Sequence, residues 1–212
     1  VAAGHSYGAN TALLAVGARV EHNGQIMDLR DPRIKAAILI SSPPFYGTPA
    51  PGRILASVTV PTLHITATED VIRVPGYYSG AEDRVAVFDA IGGPRKTLAV
   101  FAGGSHSMFT DRSGTGGAEL NGLVKVATKE LALAFMRNVF GASDEPLRRW
   151  STQHSAIVSR VFRVTPPSVP EVGEGRMKAA GSCARRFMRV LSPRMEPPVR
   201  FEVGSTASTA TR

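Results

Sequence analysis

The chain has 212 residues, 43% of them hydrophobic and 20% charged, which is enough for one domain with a sizeable core. No apolar run approaches the ~20 residues of a membrane span, and a single cysteine, Cys183, excludes an internal disulfide and a multi-cysteine zinc site. The formal charge of +8 is uneven: residues 1–162 carry 16 Lys/Arg against 13 Asp/Glu, and residues 163–212 carry 9 against 4, so no broad nucleic-acid face is expected on the folded part.

Val1-Ala2-Ala3 leads into Gly4-His5-Ser6-Tyr7-Gly8, a G-x-S-x-G pattern followed by a helix-like run. A serine at a sharp strand-to-helix turn takes strained backbone angles, and the turn pushes its hydroxyl clear of the sheet edge. Strand and helix nearly touch there, so the residues two before and two after must be small, and Gly4 and Gly8 meet that need. The backbone N–H of Tyr7, at the helix start, is placed to point at a developing oxyanion. The alternative is a glycine-rich loop with an incidental serine. Only three residues of the entering strand precede the pattern, and no Met opens the chain. The expectation is therefore an N-terminally truncated domain, inactive or poorly folded as an isolated 212-residue piece.

Residues Thr11–Val20 continue as an Ala/Leu-rich helix. Glu21–Asp31 is polar, with Asn23-Gly24 as a turn signal. The nearly continuous apolar run Ile34–Ser41 has the pattern of a buried parallel strand. Ser42–Gly52 is a Pro/Gly-rich loop bearing Phe45 and Tyr46, followed by a short helical stretch, Arg53–Ser57. Val60–Ala67 is a strand that runs into Thr68-Glu69-Asp70. A loop with Tyr77 and Tyr78 precedes a helix over Glu82–Ile91, closed by Gly92-Gly93-Pro94. Lys96–Phe101 is a further strand, leading into Gly103-Gly104-Ser105-His106.

A glycine-rich loop at 112–117 precedes a long amphipathic helix over Ala118–Phe140. A second helix starts at Ser143-Asp144-Glu145-Pro146, with Leu147, Trp150, His154, Ile157, Val158 and Val161 as its apolar stripe. From 163 to 212 the chain is a Pro-rich basic tail, expected to be mostly disordered. The order of elements is that of an α/β domain: a mostly parallel sheet with flanking helices.

In such sheets chemistry gathers beyond the carboxyl ends of the strands. Three strands here end at Ser6, Asp70 and His106. A serine hydroxyl needs a base to become a nucleophile, and the base needs a partner to fix its tautomer and hold its charge. The chain order Ser, Asp, His, with gaps of 64 and 36 residues, leaves room for strand–helix units between them and is one of the known orders of such a triad. Glu69 competes for the acid role, but Val71-Ile72 resumes an apolar pattern and leaves Asp70 at the tip of the turn. Taken singly, each residue has a plainer reading: a loop serine, a turn aspartate, a packed histidine. His5 is expected to point away from the nucleophile, His22 to be solvated, and His64 to be buried in its strand. No His/Asp/Glu set has metal spacing, and Gly103-Gly104 lacks the following Lys-Ser/Thr of a phosphate loop.

These residues resemble the C-terminal half of an α/β-hydrolase, and within that superfamily the dienelactone hydrolase-like and related bacterial esterase and polyester-hydrolase branch. The resemblance rests on Gly4-His5-Ser6-Tyr7-Gly8, on Val60–Asp70 and on Gly103-Gly104-Ser105-His106, and covers about residues 1–140, with the following helix to 162. Ala9 stands where many relatives have a second glycine. The resemblance implies an α/β-hydrolase fold and early strands, with the loop giving a second oxyanion N–H, outside this chain. Losing one oxyanion donor costs ~100–1,000-fold in rate.

It also implies a serine esterase that needs no cofactor and acts on a small-molecule or polymeric ester. About 18 residues separate Ser41 from Val60, too few for a large lid, so the site is expected to be open. Phe45, Tyr46, Tyr77 and Met108, with Tyr78 and Phe109, are candidate substrate walls; ordinary packing is the alternative for each. Acyl transfer to another alcohol stays open, as does a non-catalytic interaction protein of the same fold. A nucleic-acid or acidic-surface role for the tail arginines, Arg185-Arg186 and Arg189 among them, ranks behind a solvated terminus. Compartment and oligomeric state are not legible.

Overall fold

The computed structural model describes residues 1–46, 51–111 and 118–165. The loop at 112–117 and the basic tail beyond 165 lie outside the described residues. In chain order the elements are β1 (Ala2–His5), α1 (Tyr7–Ala15), β2 (Arg19–His22), β3 (Gln25–Asp28), β4 (Ala37–Ile40), α2 (Pro51–Leu55) and β5 (Thr62–Glu69). Then follow β6 (Ile72–Val74), β7 (Tyr77–Ser79), α3 (Ala81–Ala90), β8 (Lys96–Ser105), a 3₁₀ turn (His106–Phe109), α4 (Ala118–Val139), α5 (Glu145–Gln153) and β9 (Val158–Val164).

The central sheet has strand order β1-β4-β5-β8-β9. Its first four strands run parallel, and β9 closes the far edge antiparallel to β8. Alternating residues of each strand divide between two cores. Ile38, Leu63, Ile65, Ala67, Ala99 and Phe101 face α4 and α5, where Val124, Leu131, Phe135, Leu147 and Trp150 cover them. Leu39 and Ala37 face the other way, against Leu13 and Val16 of α1, Leu55 of α2 and Val87 of α3. Leu98 and Val100 meet Phe88 on the same side. Each buried Val, Leu, Ile or Phe side chain is worth roughly 1.5–3 kcal/mol in transfer free energy, so the sheet is held from both faces. Trp150 Nε1–H also donates to the Ala127 carbonyl at 2.8 Å, pinning α5 to α4.

Four local expectations are corrected. The polar stretch after α1 is a hairpin, β2–β3, turning at Asn23 (φ 50°) and Gly24 (φ 76°), the two left-handed residues of a type I′ turn. The stretch around Tyr77 and Tyr78 is a second hairpin, β6–β7, turning at Gly76. Leu147 and Trp150 of the stripe are helical and His154 caps the helix, but Ile157, Val158 and Val161 are not part of it: α5 stops at Gln153 and the chain enters β9. An edge strand needs a partner more than α5 needs another turn. The strand also takes Arg163 and Val164 from the expected tail.

The candidate active site

Ser6 follows β1 immediately, with φ 57° and ψ −126°. This left-handed conformation is costly for a residue with a Cβ, on the order of 1–3 kcal/mol. It persists because both sides are fixed: Ser6 N–H donates to the Ile40 carbonyl at 2.9 Å, and Ala9 N–H donates to the Ser6 carbonyl at 2.9 Å. A serine before a helix ordinarily caps it through its hydroxyl. Ser6 makes no side-chain cap bond to α1. Its Oγ instead lies 2.9 Å from His106 Nε2.

His106 opens the 3₁₀ turn after β8. Gly103 (φ 71°) and Gly104 (φ 80°) bend the chain into it, and the Met108 side chain lies where a Gly104 side chain would stand. Gly103 N–H donates to Thr68 Oγ1 at 2.8 Å, tying this bend to the end of β5. His106 Nδ1 is 2.7 Å from Asp70 Oδ1. A carboxylate can only accept, so Nδ1 carries the hydrogen and Nε2 offers its lone pair to the Ser6 hydroxyl.

Asp70 is fully buried. Its Oδ2 accepts the Thr66 hydroxyl at 2.7 Å, and Arg84 Nη2 stands 3.5 Å from Oδ1. Burial pushes the carboxyl up. The His106 hydrogen bond, the Arg84 charge and the Thr66 hydroxyl outweigh it, holding Asp70 below the ordinary 3.8. The fully buried Ser41 hydroxyl lowers the same carboxylate as well, and by more than Thr66 does. The acid is thus charged at neutral pH despite its burial.

His5 packs against the turn that follows β8. Its Nε2–H donates to the His106 backbone carbonyl at 3.0 Å, and the two rings stand 4.8 Å apart. His22 is exposed. His64 is buried, with Nε2 3.2 Å from Thr62 Oγ1 and its ring edge-on to Phe88.

The candidate walls separate. Tyr46, 66% exposed, meets Tyr77 edge-on at 5.1 Å, so the loop after β4 and the β6–β7 hairpin bring these two together. Tyr78 is exposed beside the Arg73 guanidinium. Phe45 packs against the α1-side core. Met108 is a correction: it is 0% exposed, packed in the α4-side core, and has no surface to offer a ligand. Phe109 is partly buried against the same core, with its ring 6.2 Å from that of His5.

Sequence reasoning missed Thr66, Ser41 and Arg84. For Arg84 a signal existed: it shares a helical face with Val87, Phe88 and Ile91, an arginine on an apolar stripe. Thr66 sits in the polar half of an alternation, Thr62, His64 and Thr66 against Leu63, Ile65 and Ala67, all of them buried.

Among the described residues no cluster of three His, Cys, Asp or Glu could hold a metal ion, and no helix is long and apolar enough to cross a membrane. No protein-family model and no curated protein matches this chain.

Proposed function

We propose that this protein is a serine hydrolase of the α/β-hydrolase type that cleaves carboxylic esters through an acyl-enzyme. The observation that carries the reading is the state of Ser6. A strained backbone withholds its hydroxyl from the helix cap and gives it to a histidine whose other nitrogen faces a buried carboxylate. Positive φ alone is shared by the buried Ser41 (φ 51°); what sets Ser6 apart is that its strain comes with this hydrogen-bond chain.

In the proposed reaction, Ser6 Oγ attacks the ester carbonyl carbon while its proton passes to His106 Nε2. Asp70 holds the imidazole in the Nδ1–H tautomer and balances the imidazolium charge. The Tyr7 N–H, at the first position of α1 where no intrahelical partner exists, stabilises the oxyanion. Collapse breaks the ester C–O bond, and His106 returns the proton to the leaving alkoxide. Water, deprotonated by His106, then attacks the acyl-serine, and Ser6 is restored. The exposed Tyr46, set against the half-buried Tyr77, supports an open, aromatic-edged site suited to esters. The resemblance of the three motifs to α/β-hydrolases supports the same assignment. A non-catalytic relative would leave the Ser6 strain and the completed hydrogen-bond chain without use.

The test is labelling of the full-length protein with a fluorophosphonate, followed by peptide mapping. Covalent modification confined to Ser6 and abolished in Ser6→Ala is expected, together with hydrolysis of p-nitrophenyl acetate. An Ser6→Ala variant that keeps full esterase activity refutes the reading.

A further inference from the structure

Arg84 lies in the first turns of α3 and is 2% exposed. A guanidinium taken out of water is costly unless its charge and its donors are met. The carboxylate at salt-bridge distance is Asp70, whose Oδ1 also faces His106 Nδ1. The other arm of the fork turns to the end of β7: Nη1 donates to Ser79 Oγ, and to the Gly80 carbonyl at 3.2 Å. Ser79 passes its own hydrogen to Asp83 Oδ2 at 2.7 Å.

We infer that Arg84 is a positioning residue of the Ser6–His106–Asp70 site, fixing the Asp70 carboxylate and tempering its pull on the His106 proton. This rests on the hydrolase reading above. Two observations carry it. With Thr66 on Oδ2 and both His106 and Arg84 at Oδ1, three groups from β5, α3 and the turn after β8 define the plane of one carboxylate. The fork also joins Asp70 to Ser79 and Gly80, so it closes the base of the β6–β7 excursion that carries Tyr77.

The electrostatic part follows from sign. In acyl transfer His106 becomes an imidazolium, which Asp70 favours and a fixed cation behind Asp70 opposes. Among the described residues the other charged or titratable groups facing this cluster are the His5 ring against His106, Asp83 behind Ser79 and the exposed Glu82 carboxylate over Gly80; Glu69, next in the chain, is exposed. None of these replaces the Arg84 charge. Removing it strengthens the carboxylate's hold on the hydrogen of His106 Nδ1, so the acid limb of the Ser6 reaction moves to higher pH in the variant.

The experiment measures the rate constant of fluorophosphonate labelling at Ser6 across the acid limb in the full-length protein, in Arg84→Gln and in Arg84→Lys. Arg84→Gln is expected to label more slowly and to move the limb upward by roughly half to one pH unit. Arg84→Lys keeps the charge but cannot serve Asp70, Ser79 and Gly80 together, so labelling falls roughly tenfold with the limb in place. A slowed Arg84→Gln with an unmoved limb overturns the inference, because a merely structural arginine does that. Should Arg84→Gln lack a thermal transition, Arg84→Met, which also removes the charge, is read by the same limb: an upward move supports the inference and an unmoved limb overturns it, as does unchanged labelling in Arg84→Lys. Absence of labelling in the unsubstituted protein overturns the hydrolase reading itself, which separates that failure from this one.

Discussion

Replacing Gly4 by alanine tests how the nucleophile is held. A Cβ built on Gly4 lies 2.6 Å from Ala9 N and closer still to the Gly8 carbonyl, all of it backbone. Ordinary contact begins near 3.4 Å, and the Gly8 carbonyl is nearer than Ala9 N, so β1 and α1 must part by more than about 1 Å. No rotamer relieves this, since no side chain is involved. Overpacking of this kind costs ~1–3 kcal/mol, and a backbone-on-backbone clash belongs at the upper end. The displaced unit is the turn that bears Ser6, and a shift near 1 Å at a reacting atom costs ~100-fold in rate. Gly8 is the control. A Cβ there meets nothing within 4 Å, and Gly8 is an exposed helical residue without positive φ. Gly8→Ala is expected to gain about 0.5–1 kcal/mol and to keep wild-type labelling. Denaturant unfolding and fluorophosphonate labelling of the two variants provide the assay. Equal effects from Gly4→Ala and Gly8→Ala refute the reasoning, because then smallness rather than this one contact is what the pattern requires.

Burial, aided by the Lys96 charge, lowers the His64 pKa from 6.5 to about 3, so the folded protein keeps this imidazole neutral where the unfolded chain protonates it. Its contribution is intact above pH 6.5 and is lost as pH falls towards 3, at about 1.4 kcal/mol per unit. Between pH 6.5 and pH 5 denaturant titration should show a loss of about 2 kcal/mol from this group that His64→Gln largely removes. Asp70 acts in a different window: its lowered pKa adds stability above 3.8 that disappears only below it. Asp70→Asn should cut the labelling rate by ~1,000–10,000-fold, read by the same probe, by stranding His106 in the wrong tautomer. Trp150→Phe should lose the bond to the Ala127 carbonyl and cost about 1–2 kcal/mol in thermal or denaturant unfolding, without altering Ser6 labelling.

Much of the parallel sheet was legible because its strands are buried on both faces and read as apolar runs, Ile34–Ser41 and Val60–Ala67 most plainly. Ser6, Asp70 and His106 were legible as residues placed just past strand ends, and the structure brings those three side chains within hydrogen-bond distance in sequence. The small hairpins were not, since three or four mostly exposed residues a side carry little periodicity. β9 was misread because Val158 and Val161 satisfy a helical spacing as well as an edge strand does. Gly8 was over-read: the motif's second glycine matters here through its carbonyl, which Gly4 abuts, and not through its own missing side chain. Arg84 was passed over because periodicity counts apolar residues and ignores the charged one that shares their face.

The strand order has a kinetic consequence. Ser6, Asp70 and His106 follow β1, β5 and β8, and β4 stands between the first two. Every one of these parallel pairings closes a crossover, and His106 meets Ser6 across 100 residues of chain. Non-local parallel pairing is the slow part of folding, on the millisecond-to-second scale or beyond. No partial assembly lacking β4 can bring the three side chains together. A probe that reacts only with an activated Ser6 is thus a clock for completion of the four parallel strands, and the pairing of β9 with β8 lies outside what it reports.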